Sequence, residues 1–278
     1  DMALLEARGL TVTYGGLHAN DDIDLDCHDG KLVGLIGPNG AGKTTFIDAI
    51  TGFTPLSGGA VSFDGVDLGD LRPDKRAAMG LVRTFQSLEL FEDLTVRDNL
   101  LVAAEKPKWY TFLADIVLPG RGVTAFEDQV DDALEALGLT SLAEAHPGDL
   151  SHGQRKLIGV ARALAAKPKL LLLDEPAAGL DTQESQLLGR HLRGFLDLGV
   201  SLFLIDHDMG LVLNVCDYIY VLDFGKVIAQ GPPAQVRSDP AVISAYLGES
   251  AGETQAAQGA PTAAPPASAV TGDREVTT

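Results

Sequence analysis

Nine residues, Gly37, Pro38, Asn39, Gly40, Ala41, Gly42, Lys43, Thr44 and Thr45, match the spacing G-x-x-x-x-G-K-[ST]. In that pattern glycines let backbone N–H groups turn inward around a phosphate, the lysine reaches the β- and γ-phosphates, and the hydroxyl after it can ligate Mg²⁺. Lys43 and Thr44 hold those two positions, so a nucleoside triphosphate belongs here. A second pair, Asp174-Glu175, ends the apolar run Leu170 to Leu173. Adjacent carboxylates repel and cost desolvation, which makes them a poor structural choice at the end of a buried strand. Beside a triphosphate they have work: Asp174 to hold Mg²⁺ through water, and Glu175 to polarise an attacking water.

Weaker signals surround these two. His207 follows the run Val200 to Ile205 and could donate a hydrogen bond to a γ-phosphate; equally, it could be a surface histidine held between Asp206 and Asp208. Gln86 follows a predicted strand and can offer its amide oxygen to Mg²⁺, or be a plain surface glutamine. Leu150-Ser151-His152-Gly153-Gln154 opens a helical pattern, and a serine, a glycine and unpaired N–H groups at a helix start make a second anion site. Tyr14 stands before Gly15-Gly16, where its ring could stack on a purine or stay half-buried in a strand.

The elements that must position these residues are legible from periodicity and punctuation. Leu32 to Ile36 reads as a short buried strand leading into the phosphate loop, and Thr45 to Ile50 as the helix after it. Upstream, Leu4 to Leu10, Thr11 to Tyr14 and Ile23 to Cys27 read as strands. Ala60 to Phe63 is a strand closed by an Asp64-Gly65 hairpin signal, Pro73 to Met79 a helix, and Leu81 to Phe85 a strand ending at Gln86. Helices are predicted over Thr95 to Ala104, Glu127 to Leu137, Arg155 to Ala166 and Glu184 to Leu198, and strands at Leu170 to Leu173 and Val200 to Ile205. Tyr218 to Leu222 and Lys226 to Gln230 form a hairpin, followed by short helices at Pro233 to Arg237 and Ala241 to Leu247. The segment Glu105 to Phe126 is irregular and rich in large apolar residues, among them Trp109, Tyr110 and Phe112; these pack on neighbouring helices or meet a membrane-embedded partner. From residue 250 to 278 the composition turns to Ala, Pro, Thr, Gly and Gln, which predicts a disordered tail.

Composition narrows the classes. The chain has 278 residues, 45% of them hydrophobic, and carries a net charge of −18 from 21 basic and 39 acidic side chains. Such a balance argues against nucleic acid as a partner, since phosphate binding by counterion release needs a basic face. The two cysteines, Cys27 and Cys216, lie far apart and suit no metal or disulfide framework, so they read as buried apolar fillers in a reducing compartment. No run approaches about 18 apolar residues, so no membrane span is expected.

The phosphate loop, Gln86, the pentapeptide at 150–154, Leu170 to Glu175 and His207 occur in one order that resembles the ATP-binding subunit of ABC transporters, over residues 4 to about 248. More narrowly, Tyr14-Gly15-Gly16-Leu17, Val82-Arg83-Thr84-Phe85-Gln86, Asp174-Glu175-Pro176-Ala177-Ala178-Gly179-Leu180, His207-Asp208-Met209 and the ending Ala245-Tyr246-Leu247-Gly248-Glu249 are similar to the LivG-type subunit of branched-chain amino-acid importers. The resemblance implies an α/β P-loop NTPase core of RecA-like type with an antiparallel β subdomain and an α-helical subdomain at about 87–150, all within an ATP-binding domain spanning 1–249. It implies ATP and Mg²⁺ as ligands and a head-to-tail pair of such subunits, alike or different, sandwiching two ATP molecules. Each site would take Tyr14 for adenine, Gly37 to Thr45 for phosphates, Thr44, Gln86 and Asp174 for Mg²⁺, Glu175 as catalytic base and His207 for the γ-phosphate. Ser151, Gly153 and Gln154 would complete the partner's site, and Asp181 would line the seam. Two transmembrane permease subunits, a separate solute-binding protein and a peripheral position on the cytoplasmic face of the membrane are implied as well. A lipopolysaccharide-export ATPase, a soluble non-transport ABC ATPase and a metabolic kinase are the alternatives. His152 stands where most of the superfamily has glycine, and Asp206 where glutamate is commoner, a difference expected to matter little.

Overall fold

The computed structural model describes residues 3–84, 90–104 and 121–246. Its centre is built from the uninterrupted apolar runs. Strands β3 (Leu32–Ile36), β7 (Leu170–Asp174) and β8 (Ser201–Ile205) are buried along their whole length, as strands covered on both faces must be. They join β6 (Leu81–Arg83), β9 (Tyr218–Asp223) and β10 (Lys226–Gly231) in a six-stranded sheet of order β10-β9-β3-β8-β7-β6. All neighbours are parallel except the closing β9/β10 hairpin. Strand β8 therefore lies between β3 and β7, so the Asp174 strand is not the phosphate-loop strand's neighbour. A shorter antiparallel sheet, β2-β1-β4-β5, is made from β1 (Leu5–Tyr14), β2 (Leu17–Cys27), β4 (Gly58–Phe63) and β5 (Val66–Asp67).

Alternation along the apolar strands divides two cores across the large sheet. Leu170, Leu172, Phe203 and Ile205 pack with Phe46, Ile47, Ile50 and the antiparallel sheet. Leu171, Leu173, Leu202 and Leu204 face the other way, onto helices. Helix α1 (Lys43–Thr51) lies against the first face, with Phe46 stacked on Phe203 at 6.0 Å between ring centroids. The second face carries α3 (Val96–Ala104), α4 (Arg121–Ala136), α5 (His152–Ala165), α6 (Thr182–Asp197) and α7 (Met209–Val215). Val96, Leu100, Val130 and Leu134 of the helical segment belong to the same cluster as Leu171 and Leu202, so this segment shares its core with the sheet. Helix α2 (Pro73–Ala78) precedes β6, and α8 (Pro233–Arg237) and a helical stretch at 240–246 close the described chain.

Four expectations change. The two strands predicted at the start are one, Leu5–Tyr14, whose register against β2 shifts around Gly9, a glycine with φ of 58°. Helix α4 starts at Arg121 inside the stretch read as irregular, because Gly122 and the β-branched Val123 and Thr124 are weak helix formers and hid its first turns. Helix α6 starts at Thr182, its cap at Asp181 having gone unread. Helix α7 was not foreseen at all, because its Asp208 cap was read only as a neighbour of His207. Gln86, the aromatic residues Trp109, Tyr110 and Phe112, and the tail 250–278 lie outside the described residues. Cys27 and Cys216 are buried, as expected. Among the described residues, no helix is long and apolar enough to cross a membrane.

Candidate functional site

Parallel pairing fixes where the chemistry gathers. Leu35 of β3 registers with Ile205 of β8, Ile205 with Asp174 of β7, and Leu172 of β7 with Arg83 of β6. The carboxyl ends of four strands thus come to one edge, each about 4.8 Å from the next. The described residues that follow are the phosphate loop after β3, Asp206-His207 after β8 and Glu175 after β7. Ligands of open α/β sheets bind at this edge.

The loop's path is dictated by two glycines. Gly37 has φ of 156°, and a Cβ there would lie 2.0 Å from the Leu222 carbonyl oxygen. Gly42 has φ of 101°, and a Cβ there would meet the Ala19 carbonyl oxygen at 2.3 Å. Gly42 caps α1 in the left-handed region, so the helix begins at Lys43 with N–H groups that have no intrahelical acceptor. Those groups and the positive end of the helix dipole are a donor set for an anion. Lys43 is buried, and its Nζ donates to the carbonyl oxygens of Gly37 (2.6 Å) and Pro38 (2.8 Å), so its ammonium spans the loop. Thr44 and Asn39 are exposed, and Thr45 is half-buried. Tyr14, at the end of β1, is exposed, its hydroxyl 3.3 Å from Thr54 Oγ1.

Asp174 is buried and bound on one side only. Arg83 Nη2 donates to its Oδ2 at 2.7 Å, and Arg83 Nη1 donates to Asp48 Oδ1 on α1, so one guanidinium ties three elements together. Asp174 Oδ1 is buried without a hydrogen-bond partner. A buried carboxylate oxygen left so is costly and suits a divalent cation. Glu175, next along, is a non-glycine residue at φ of 48°, and its N–H donates to the Ile205 carbonyl at 2.7 Å. His207 is exposed, its Nδ1 3.7 Å from Asp206 Oδ1. Asp206 itself is fully buried.

The pentapeptide at 150–154 belongs elsewhere. Ser151 caps α5 through a capping box: its Oγ accepts the Gln154 N–H at 3.2 Å, and Gln154 Oε1 accepts the Ser151 N–H at 2.9 Å. Asp181 caps α6 in the same way, accepting the N–H groups of Gln183 and Glu184 at 2.8 Å each. A Cβ on Gly153 would sit 2.5 Å from the Glu184 carboxylate, and one on Gly179 would sit 3.4 Å from His152 Nε2. Ser151, Gly153, Gln154 and Asp181 therefore form a cluster of their own around two helix starts.

Three positioning side chains escaped the sequence reading. Asn20 is fully buried on β2 and donates from Nδ2 to the Gly42 carbonyl at 3.1 Å, supporting the loop from beneath; a polar residue in a strand's inward register is the only signal of it. Arg83 stood inside a quoted motif without a role. Lys156, on α5, donates to the carbonyl oxygens of Glu175 and Pro176 at 3.5 Å each and to that of Ala178. Burial lowers its pKa, while Asp206 and Glu175 nearby push it back up.

Comparison with known proteins follows from this geometry. Residues 20–178 match the family model described as ABC transporter, and residues 226–252 match the one described as branched-chain amino acid ATP-binding cassette transporter. The chain is 39% identical over 252 residues to the high-affinity branched-chain amino acid transport ATP-binding protein BraF of Pseudomonas aeruginosa, covering 88% of this chain and 98% of that protein. It is 38% identical over 250 residues to LivG of Escherichia coli K12, with the same coverage. The solved structure of the ADP conformation of an ATP-binding cassette of an ABC transporter superposes with a TM-score of 0.78 at 31% identity, covering 90% of this chain and 100% of that one.

Proposed function

This chain belongs to the ABC transporter family of ATP-binding cassettes, and we propose that it is the ATP-hydrolysing subunit of a multi-subunit importer for branched-chain amino acids or a related small solute. The observation that carries the reading is the single carboxyl edge at which the Gly37–Thr45 loop, Asp174-Glu175 and His207 follow adjacent parallel strands. The solute class is supported by the names of the relatives and by the match at 226–252; selection of the solute is assigned to the other subunits.

Lys43 and the N–H groups opening α1 hold the β- and γ-phosphates, and Tyr14 stacks on the adenine. The Thr44 hydroxyl and Asp174 Oδ1 are the atoms that would hold Mg²⁺, with Gln86 as a third donor. When bound, the ion neutralises charge on the phosphate oxygens. Arg83 keeps Asp174 Oδ2 occupied and so leaves Oδ1 as the oxygen available to the metal. Glu175 orients and polarises the attacking water, and His207 donates to the γ-phosphate. Ser151, Gly153, Gln154 and Asp181, clustered at the starts of α5 and α6, serve the site of a second cassette in a head-to-tail pair. ATP then holds the pair closed, and hydrolysis removes the contact that favours closure. Two permease subunits and a solute-binding protein complete the assembly, with this chain peripheral on the cytoplasmic face.

The test is capture of tagged Glu175→Gln chain with MgATP from gently solubilised membranes, followed by mass spectrometry. Two polytopic membrane proteins and a second cassette are expected. Recovery of soluble partners alone would overturn the transport reading while leaving the ATPase intact.

A further inference from the structure

We propose that Lys156 and Asp206 are a pair of positioning residues that grip the 175–178 turn, one at its carbonyl oxygens and the other at an amide, and hold Glu175 in its left-handed backbone conformation. The inference rests on the reading of Glu175 as the catalytic base.

A left-handed conformation is unfavourable for glutamate and persists only when its surroundings over-determine it. At Glu175 the surroundings can be traced. Its own N–H is held by the Ile205 carbonyl, and the Ala178 N–H closes the turn onto the Glu175 carbonyl at 3.2 Å. On the carbonyl side the Lys156 ammonium takes the oxygens of Glu175, Pro176 and Ala178. On the amide side Asp206 Oδ2 accepts the Ala177 N–H at 3.0 Å, while its Oδ1 accepts the Asp208 N–H at 2.9 Å. Asp206 is the residue before His207, so one buried carboxylate fixes the turn after Glu175 and the backbone around the histidine. Lys156 stands on the helix whose start bears Ser151 and Gly153, so the grip also fastens that helix to the base of the chain's own site. The bonds of both side chains go to the backbone of the 175–178 turn and of Asp208, which makes their action one of placement.

The test uses the full-length chain in two measurements. Amide hydrogen exchange of the nucleotide-free protein reads the turn directly, and steady-state ATP hydrolysis separates kcat from KM. In Lys156→Met the Ala177 and Ala178 amides should exchange roughly 10-fold faster than in the parent, with α1 and β3 unchanged. Turnover should fall by about 10-fold or more, since a small displacement of a reacting group is that costly. The KM for ATP should stay within about 2-fold, because ground-state binding is untouched. Lys156→Arg, which keeps donors at this position, should restore most of both readouts, and Asp206→Asn, which leaves one acceptor for two N–H groups, should resemble Lys156→Met. Unchanged exchange in the 175–178 turn overturns the proposal, whatever the kinetics. So does a Lys156→Met chain that keeps its kcat while Glu175→Gln loses its own. If Glu175→Gln itself turns over normally, the reading of the base fails instead, and the exchange data still decide whether Lys156 and Asp206 hold the turn.

Discussion

Gly40 and Gly42 sit two residues apart in the same loop, both at positive φ, yet only one has backbone where a side chain would go. Gly42→Ala must push against the Ala19 carbonyl and the Asn20 amide, so it should weaken ATP binding at least ~10-fold, about 1.4 kcal/mol. Gly40→Ala meets nothing within 4 Å and bears only the conformational strain; it should cost roughly 1 kcal/mol in stability and less in affinity. Titration with a fluorescent ATP analogue separates the two, and equal losses would mean that close backbone approach does not shape the site. Glu175→Gln should retain that affinity and lose turnover by about 10²-fold or more, the scale of a general base; normal hydrolysis would remove Glu175 from the role. Gly42 and both acids were legible in the sequence because each is a residue type demanded at a fixed offset, whereas Gly40 stands at a position the pattern leaves open. Asn20, Lys156 and Asp206 were not, since their partners are backbone atoms brought close only by folding, and no spacing along the chain records them.

Elements repeat that division. The buried strands were read almost to the residue because an unbroken apolar run has one stable place, a sheet covered on both faces. The start of α4 was missed because Gly122, Val123 and Thr124 have low helix propensity and disguise its first turn. The end of α1 shows a determinant of the hidden kind. Arg76 is buried, and its guanidinium donates to the carbonyls of Ala49 and Ile50 at 2.9 Å each, to Gly69 at 2.9 Å and to Leu71 at 2.8 Å. It thus satisfies the last turn of the helix that begins at the phosphate loop. Burial lowers its pKa, with Asp67 opposing, yet an arginine remains charged. Arg76→Met keeps the aliphatic bulk and strands those carbonyls, so it should cost roughly 2–4 kcal/mol, the upper part of the range for single substitutions that break a buried hydrogen-bond network. The expected fall in Tm is about 5–15 °C, read by circular dichroism. A shift below about 2 °C would show that water takes over the helix end.

Across the whole molecule, acidity acts in two opposed directions. A net charge of −18 at pH 7 repels itself, and protonation toward the pI near 4.5 relieves that strain. Specific carboxylates oppose this trend at lower pH. Burial alone would raise the pKa of Asp217, but the Leu32 N–H at 2.9 Å, the Arg193 ion pair at 2.9 Å and nearby Lys31 together bring it below its ordinary value. A carboxylate depressed in the folded state adds stability above its unfolded pKa, near 3.9, and loses it as pH falls through the folded value. Tm should therefore hold or rise from pH 7 to about 5 and drop steeply below about 4. The N–H that Asp217 holds opens β3, the strand that carries the phosphate loop, so the acid limb reaches the site's own support. Asp217→Asn keeps the size, cannot ionise and loses its attraction to Arg193. It should lower Tm at pH 7, by an amount matching about 1–2 kcal/mol for a charge-assisted hydrogen bond, and flatten the drop below pH 4. Parallel curves for the two chains, offset by the same amount from pH 7 to pH 3, would show that the acid limb belongs to other carboxylates.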